Sequence, residues 1–153
     1  MYDYSDMLSL NEKMDEVSLW YYSNRCKSMN EYKIKCYIYT LKSLEMCKYI
    51  SLKEFKRMLG IINTMSSAWI EELALDKYVH LDMLTVKKEK RGLGLTRKLM
   101  EPMLKKVDEM KLPCTIETQN KDNVFIYSKF GFEVVKEIKL PNSTLVQYCL
   151  LRK

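Results

Sequence analysis

Glycine, proline and histidine are scarce in this chain, and long apolar runs are absent. The 153 residues include 4 glycines, 3 prolines and 1 histidine, while 47% of the residues are apolar. This composition favours a globular fold over a disordered chain. No apolar run is long enough to span a bilayer, and Met1-Tyr2-Asp3 does not resemble the start of a secretory signal. We therefore expect no membrane association.

Metal-binding cysteine patterns are also missing. The five cysteines are odd in number and form no C-x-x-C pair; they are Cys26, Cys36, Cys47, Cys114 and Cys149. This pattern favours reduced thiols in a cytoplasmic protein over a disulfide framework or a zinc site. We expect these cysteines to fill the core, and we expect no metal.

The length of the chain suits one domain, 1–153, and no repeat or low-complexity linker divides it. Its net charge of +6 is uneven, because residues 1–79 carry 11 Lys and Arg against 11 Asp and Glu, whereas residues 80–153 carry 15 against 9. Much of the excess lies in one basic cluster, formed by Lys87, Lys88, Lys90, Arg91, Arg97 and Lys98. A phosphorylated small molecule, a nucleic acid or plain solvation would each explain this cluster.

The first eighty residues predict a mostly helical, irregular part of the fold. Residues 1–16 are polar and acidic, and we expect a loose tail there. The β-branched and aromatic run Val17–Tyr22 predicts a strand. Residues 30–49 mix strand-like and helical spacing, and we favour a helix. A capping box of Ser51 and Glu54 opens a further helix, and Trp69 beyond it is expected in the core or in a groove wall.

The stretch His80–Met100 contains the most informative pattern. It begins as a β-prone run over 80–86, passes through a charged loop and the glycine turn Arg91–Gly94, and continues as an apolar stripe at helical spacing from Leu95. A strand, a glycine turn and a helix N-terminus in succession make an anion site, because the free N–H groups of the first helical turn point outward. Pro102 inside this helix predicts a bend.

The details of the glycine turn discriminate between phosphate loops. A dinucleotide fingerprint needs a third glycine where Arg97 stands, and a Walker loop needs a Gly-Lys-Ser/Thr that the chain lacks. The pattern Arg-x-x-Gly-x-Gly/Ala fits Arg91, Gly94 and Thr96 instead, although Thr96 replaces the usual small residue.

The last forty residues predict three strands, over 114–118, 132–140 and 145–151. A short helix, capped by Asn120 and closed by Gly131, is predicted between the first two strands, and a turn at Pro141-Asn142 between the last two. A second motif runs through this region, with the form E-T-x-N, N-x-x-x-Y and G-F. Its residues are Glu117, Thr118, Asn120, Asn123, Tyr127, Gly131 and Phe132.

Together the two motifs resemble the signatures of the GNAT superfamily of acyl-CoA N-acyltransferases, over residues 80–151. The resemblance implies an α/β (α+β) fold with a mixed, mostly antiparallel twisted sheet flanked by helices. It also implies that residues 80–153 form the acyl-CoA-binding core, while 1–79 form an atypical N-terminal part. GNAT folds usually begin with a strand and two helices, and these elements look shortened or missing here.

The resemblance further implies the residues that hold acetyl-CoA, the expected co-substrate. Its pantetheine arm would lie along the central strand at Leu84, Thr85 and Val86, and Asn120 and Asn123 would hold the arm or the end of the next strand. The diphosphate would bind N–H groups in the glycine turn, at Arg91, Gly92, Leu93, Gly94, Leu95, Thr96 and Arg97.

The implied reaction is transfer of an acetyl group to a primary amine by direct attack in a ternary complex. Tyr127 matches the usual general acid, since a phenol is protonated at neutral pH. His80 is expected to be the general base, with Asp82 and Glu117 as alternatives. The acceptor would be a small-molecule or peptide amine of unknown identity, and a homodimer stays open. A degenerate GNAT that binds CoA without catalysis is the alternative; a nucleic-acid-binding module is favoured less.

Overall fold

The computed structural model describes residues 4–25, 34, 38, 48–64, 68–140 and 143–153. Six strands are described: β1 Ser5–Leu8, β2 Glu16–Tyr22, β3 Val79–Val86, β4 Cys114–Thr118, β5 Glu133–Lys139 and β6 Val146–Arg152. The described helices are α1 Leu52–Thr64, α2 Trp69–Glu72, α3 Leu95–Glu109 and α4 Lys121–Ser128. The turn expected at 141–142 and nearly all of the helix expected over 30–49 lie outside the described residues.

The strands form one six-stranded sheet in the order β1-β2-β3-β4-β6-β5. Strands β3 and β4 are parallel, and every other neighbouring pair is antiparallel. The sheet is therefore mixed and mostly antiparallel, which confirms the predicted fold class.

The two parallel strands separate soon after they meet. Strand β3 pairs with β4 only from Val79 to Leu81, opposite Cys114 to Ile116. Beyond Leu81, β3 continues beside β2 alone, and beyond Ile116, β4 continues beside β6 alone. The result is a wedge in the middle of the sheet, where one edge of β3 has no partner among the described strands.

Each face of the sheet has its own core. Helix α3 packs on one face, which we call the α3 face, and its Met100 and Leu104 join Trp20, Leu81 and other residues in the larger core cluster. The opposite face, which we call the α2 face, carries a smaller cluster built around Trp69, Ile70 and Cys149. Trp69 is thus a core residue, which was one of its two predicted positions, the other being a groove wall.

Local sequence explains where the helices begin and end. The Glu54 N–H donates to Ser51 Oγ at 3.2 Å and the Ser51 N–H donates to Glu54 Oε2 at 3.1 Å, which confirms the capping box at α1. Helix α4 closes with Gly131 at a φ of 84°. There the N–H of Phe132 donates back to the Tyr127 carbonyl, an arrangement typical of a glycine C′ position.

The expectation of a loose tail over residues 1–16 is wrong for its described part, residues 4–16. Strand β1 pairs with β2, with Ser5 opposite Tyr21 and Leu8 opposite Ser18. The pairing is reinforced from outside the strand, because Asp6 forms ion pairs with Arg25 and with Lys106 of α3. A strand of only four residues that is held by tertiary ion pairs leaves no periodic pattern in the sequence.

The N-terminal hairpin of β1 and β2 precedes the described helices α1 and α2, so the strand predicted over Val17–Tyr22 lies ahead of the predicted Ser51 helix, as expected. Tyr22 ends β2 and Val79 begins the neighbouring β3, so 56 residues, 23–78, separate two paired strands. The ends of this segment meet, because the N–H of Ser23 donates to the Tyr78 carbonyl at 3.0 Å and the N–H of Tyr78 donates to Ser23 Oγ at 2.7 Å.

Helix α3 runs through Pro102 without interruption. None of the described helices is long and apolar enough to cross a membrane.

Candidate active site

A cavity of about 350 Å³ opens where β3 and β4 separate. Its walls come from the end of β3, the glycine turn, the start of α3, and α4. The lining residues are Leu84, Thr85, Val86, Arg91, Gly92, Thr96, Asn120, Asn123, Ile126 and Tyr127. This volume lies within the usual range of small-molecule sites.

The glycine turn presents free backbone donors beside the cavity. Gly92 and Gly94 have φ angles of 81° and 72°, which residues with a Cβ rarely adopt. In the described part of the chain, no backbone carbonyl accepts from the N–H groups between Gly92 and Arg97, and the first helical bond runs from the Lys98 N–H to the Gly94 carbonyl. The turn therefore offers a row of donors at the positive end of the α3 dipole.

The basic cluster surrounds this turn, and its side chains are exposed. The Arg91 guanidinium donates to the Val86 carbonyl at 3.2 Å, which holds it between the end of β3 and the turn. Lys87 and Arg97 form surface ion pairs with Asp15 at 3.3 Å and with Glu101 at 3.7 Å. Such exposed pairs are weak, so both cations remain available to an anion.

Helix α4 supplies the other wall. Its cap is formed by Asn120, whose side chain accepts from the Asp122 N–H at 2.9 Å. The Asn123 side chain donates to Thr118 Oγ1 at 3.2 Å, and the same oxygen accepts from the Asn120 N–H at 3.2 Å. Both asparagines line the cavity, and each also has a structural hydrogen bond, Asn120 as the cap of α4 and Asn123 with Thr118, so a structural and a binding role are compatible.

Tyr127 lies in the α4 wall with its ring in the core. The ring packs edge-on against Phe132 at a centroid distance of 6.2 Å. Burial raises the pKa of Tyr127 to about 12, so its phenol keeps its proton at neutral pH. A protonated hydroxyl at the cavity wall is suited to donate a proton.

His80 does not line the cavity. Its side chain lies on the α2 face and is 6% exposed, with Nδ1 2.8 Å from Thr115 Oγ1. The Thr115 hydroxyl shares one hydrogen bond with His80 Nδ1 and also lies 3.4 Å from the Val79 carbonyl oxygen. Burial lowers the pKa of His80 to about 4, so the ring is neutral and held by its neighbour.

Two carboxylates occupy the apex of the wedge on the α2 face. Asp82 and Glu117 are the first residues beyond the last paired positions, Leu81 and Ile116. Burial raises the pKa of Asp82 to about 6, with a smaller contribution from the Glu117 charge. Glu117 accepts a hydrogen bond of 2.5 Å from the Trp69 indole N–H, which fixes its position.

A β-bulge accounts for the placement of Asp82. Leu19 pairs with Met83 and the next residue, Trp20, pairs with Leu81, so Asp82 is an additional residue in β3. Asp82 and Met83 therefore both project to the side of Leu19, and the regular alternation of side chains is broken at this point.

The cysteines of the described region take no part in the cavity. Cys114 and Cys149 are free and buried, and burial raises the pKa of Cys114 to about 12, which keeps it an unreactive thiol. Among the described residues, no group of three or more His, Cys, Asp or Glu side chains is placed to hold a metal ion.

The cavity thus brings together most of the residues that the sequence analysis named. The candidate binding and catalytic residues outside its lining are Leu93, Gly94, Leu95, Arg97, His80, Asp82 and Glu117. Ile126 lines the cavity and was not predicted, although it directly precedes Tyr127 on α4. Its apolar side chain carries no chemical signal in the sequence.

A family model described as acetyltransferase (GNAT) domain matches residues 37–145. The chain belongs to the GNAT acetyltransferase family. No curated protein matches its sequence.

The fold of this GNAT protein is similar to those of solved N-acetyltransferase structures. An agmatine N-acetyltransferase in its apo form is 11% identical, with a TM-score of 0.55 over 89% of this chain and 67% of the other. Naa50 of Arabidopsis thaliana, in complex with the bisubstrate analogue CoA-Ac-MVNAL, is 23% identical over 50% of this chain and 55% of its own, with a TM-score of 0.46. The ribosomal-protein-S18-alanine N-acetyltransferase of Escherichia coli is 15% identical over 49% and 53%, with a TM-score of 0.45. The GNAT chain therefore spans about half the length of the last two enzymes.

Proposed function

We propose that this GNAT protein transfers an acetyl group from acetyl-CoA to a primary amine in a ternary complex. The observation that carries the proposal is the cavity in the wedge, which combines an unpaired edge of β3, a row of free N–H donors and a buried, protonated tyrosine. The edge of β3, the N–H donors and the tyrosine hydroxyl each have a separate role in the proposed reaction.

The residues at the cavity fit acetyl-CoA. A diphosphate needs several donors and positive charge, which the Gly92–Arg97 turn and the basic cluster supply. A pantetheine arm contains amide groups, and the unpaired backbone of Leu84–Val86 offers it strand-like hydrogen bonds. The apolar side chains of Leu84 and Ile126 would cover its carbon chain.

When bound, acetyl-CoA supplies an acyl group activated as a thioester. Tyr127 lines the cavity and keeps its proton at neutral pH, so its hydroxyl would deliver the proton that a departing thiolate sulfur needs. A backbone N–H on the unpaired edge of β3, around Leu84, would stabilise negative charge on the acyl oxygen.

The amine must lose a proton before it attacks, and Asp82 is the better candidate for this step than His80. Asp82 lies at the wedge apex with its pKa raised to about 6, so it is ionised at neutral pH and remains a usable base. His80 is buried, its Nδ1 atom shares a hydrogen bond with Thr115 Oγ1, and its Nε2 atom lies 3.8 Å from Asp82 Oδ1. Glu117 would then bind the ammonium group beside Asp82.

Binding is tested first, by calorimetric titration of the purified protein with acetyl-CoA and with CoA. Thr96→Trp places a large ring at the cavity lining, and Lys105→Trp serves as the matched control because Lys105 lies exposed on the same helix. We expect micromolar binding by the wild type and by Lys105→Trp, and its loss in Thr96→Trp. No binding by the folded wild type would refute the proposal.

Transfer is tested next, by measuring CoA release with a panel of primary amines. Tyr127→Phe keeps the ring that packs on Phe132 and removes only the hydroxyl, so we expect unchanged acetyl-CoA binding and a kcat lower by about 100-fold, the usual range for a general acid. Binding by the wild type without turnover on any amine would favour the alternative, a GNAT that holds CoA without catalysis.

A further inference from the structure

We propose that the acceptor of this protein carries an extended aliphatic group next to its ammonium, and that Met7, Leu19 and Met83 form the surface on which this group lies. The inference rests on the proposed acetyl transfer and extends it to a class of acceptor. Its basis is a row of apolar side chains that crosses three strands and ends beside the two carboxylates of the wedge.

The three apolar residues are direct cross-strand neighbours. Met7 of β1 pairs with Leu19 of β2, and Leu19 pairs with Met83 of β3. Residues directly opposite each other in antiparallel strands project to the same face. Since the adjacent Trp20 lies in the core on the α3 face, the three side chains project to the α2 face. We call them the methionine row.

The methionine row is accessible. Met7 is 58% exposed and Met83 is 45% exposed, and Leu19 between them is half-buried. Two strand spacings separate β1 from β3, so the row is roughly 10 Å long. That length suits an aliphatic chain or a large side chain, and methionine is flexible enough to adapt to either.

The row leads to the place where the amine would react. The bulge in β3 puts Asp82 next to Met83 and on the same face, and Glu117 lies across the wedge from Asp82. An acceptor with its ammonium between the carboxylates would therefore extend any aliphatic substituent over Met83, then Leu19, then Met7. A polycation would instead place its second charge on apolar side chains.

Two classes of amine match the apolar surface of the methionine row. One is the α-amine of a peptide whose first residues are large and aliphatic, and the other is a free alkylamine. Both place an ammonium beside an apolar chain, and they differ in the amide groups that a peptide adds. The experiment therefore uses the peptide Met-Leu-Gly-Gly and octylamine, with the peptide Asp-Ser-Gly-Gly and spermidine as polar comparisons.

Initial rates of CoA release are measured for the four amines with the wild type, Met7→Gln, Met83→Gln and the double variant. We expect the two aliphatic amines to have the higher kcat/KM in the wild type. Each single variant should lower kcat/KM for them by roughly tenfold, mainly through KM, and leave spermidine unaffected. Met83→Leu keeps an apolar side chain, so its kcat/KM should equal that of the wild type. Leu145→Gln is the matched control, because Leu145 is 51% exposed in a loop away from the row.

Three results would overturn the inference. The first is a wild type that binds acetyl-CoA but prefers spermidine or the polar peptide, or acetylates none of the four amines. The second is an equal loss of activity on all amines in the methionine variants. The third is a change of oligomeric state in Met7→Gln by analytical ultracentrifugation, which would mean that a second copy covers the row. Failure of the proposed function itself would be distinct, since acetyl-CoA would then not bind.

Discussion

Asp82 combines three properties that no other described residue at the wedge shares. It follows the last paired position of β3, it is the additional residue of a bulge, and its pKa is raised to about 6. The titratable groups that face it are His80 on its own strand, Glu117 on β4, and Tyr78 before β3. Of these, His80 stays neutral above pH 4 or so because burial lowers its pKa to about 4.

The pH profile of activity should therefore report Asp82. A base acts in its ionised form, so we expect kcat/KM to rise about tenfold per pH unit below pH 6 and to level off above it. Asp82→Asn should lower the plateau and abolish the rise, while Asp76→Asn, at an exposed position, should leave the profile unchanged. A rise that survives in Asp82→Asn would show that another group is the base.

Residue positions were predictable from sequence where the backbone determines them. The resemblance of two motifs to the GNAT signatures implied that Leu84, Gly92, Asn123 and Tyr127 share one site, and they line one cavity because the strand, the turn and the helix fix their positions. The preference for His80 as base rested on residue type, and the structure shows a buried ring bonded to Thr115. A bulge has no clear sequence signal, so the projection of Asp82 to the same side as Met83 could not be foreseen.

At the scale of elements, β1 depends on a cluster of charges more than on its own sequence. Arg25 after β2 donates two hydrogen bonds to Asp6, at 2.6 and 2.9 Å, and Lys106 of α3 donates a third at 2.6 Å. The same two cations lie over the Tyr22 ring, with the Arg25 carbon 4.0 Å and the Lys106 nitrogen 5.3 Å from its centroid. These contacts join the edge of the sheet to the helix that begins at the glycine turn.

This cluster should make part of the stability depend on pH. The cations hold the pKa of Asp6 well below its usual range, so the stabilisation is present above the unfolded pKa of about 4 and is lost as pH falls below it. We expect Asp6→Asn to lower the free energy of unfolding by about 1 kcal/mol at pH 7, a value reduced for partial exposure. Urea unfolding at several pH values measures this.

The control for Asp6→Asn is again Asp76→Asn, whose carboxylate has no ion pair among the described residues. The gap between the wild type and Asp6→Asn should shrink steadily from pH 5 towards pH 2. A gap that is the same at both ends of this range would mean that the amide perturbs β1 for a reason other than charge.

For the molecule as a whole, the excess of positive charge lies in the half that contains the cavity. Residues 80–153 carry 15 Lys and Arg against 9 Asp and Glu, while the first 79 residues are balanced. The basic side chains around the glycine turn are exposed, so their attraction to phosphate acts through solvent and is screened by salt.

Acetyl-CoA binding should weaken as salt is added. Between 50 mM and 500 mM NaCl, we expect Kd to rise by about tenfold, because the Debye length falls well below the spacing of the exposed charges. Calorimetry at four salt concentrations measures this, and dephospho-CoA, which lacks one phosphate, should give a shallower dependence. A Kd that does not change with salt would exclude the basic cluster from binding.

The 56 residues between β2 and β3 also affect how the sheet assembles. Two antiparallel neighbours are often joined by a tight turn, whereas here the ends of a 56-residue segment must come together before Tyr22 meets Val79. Compared with a four-residue connection, the closure entropy adds roughly 2 kcal/mol, at about 0.6 kcal/mol per doubling of length. The strands and helices from Val79 onward have closer partners in sequence, so we expect the half with the cavity to form first and the N-terminal hairpin to dock onto it late in folding.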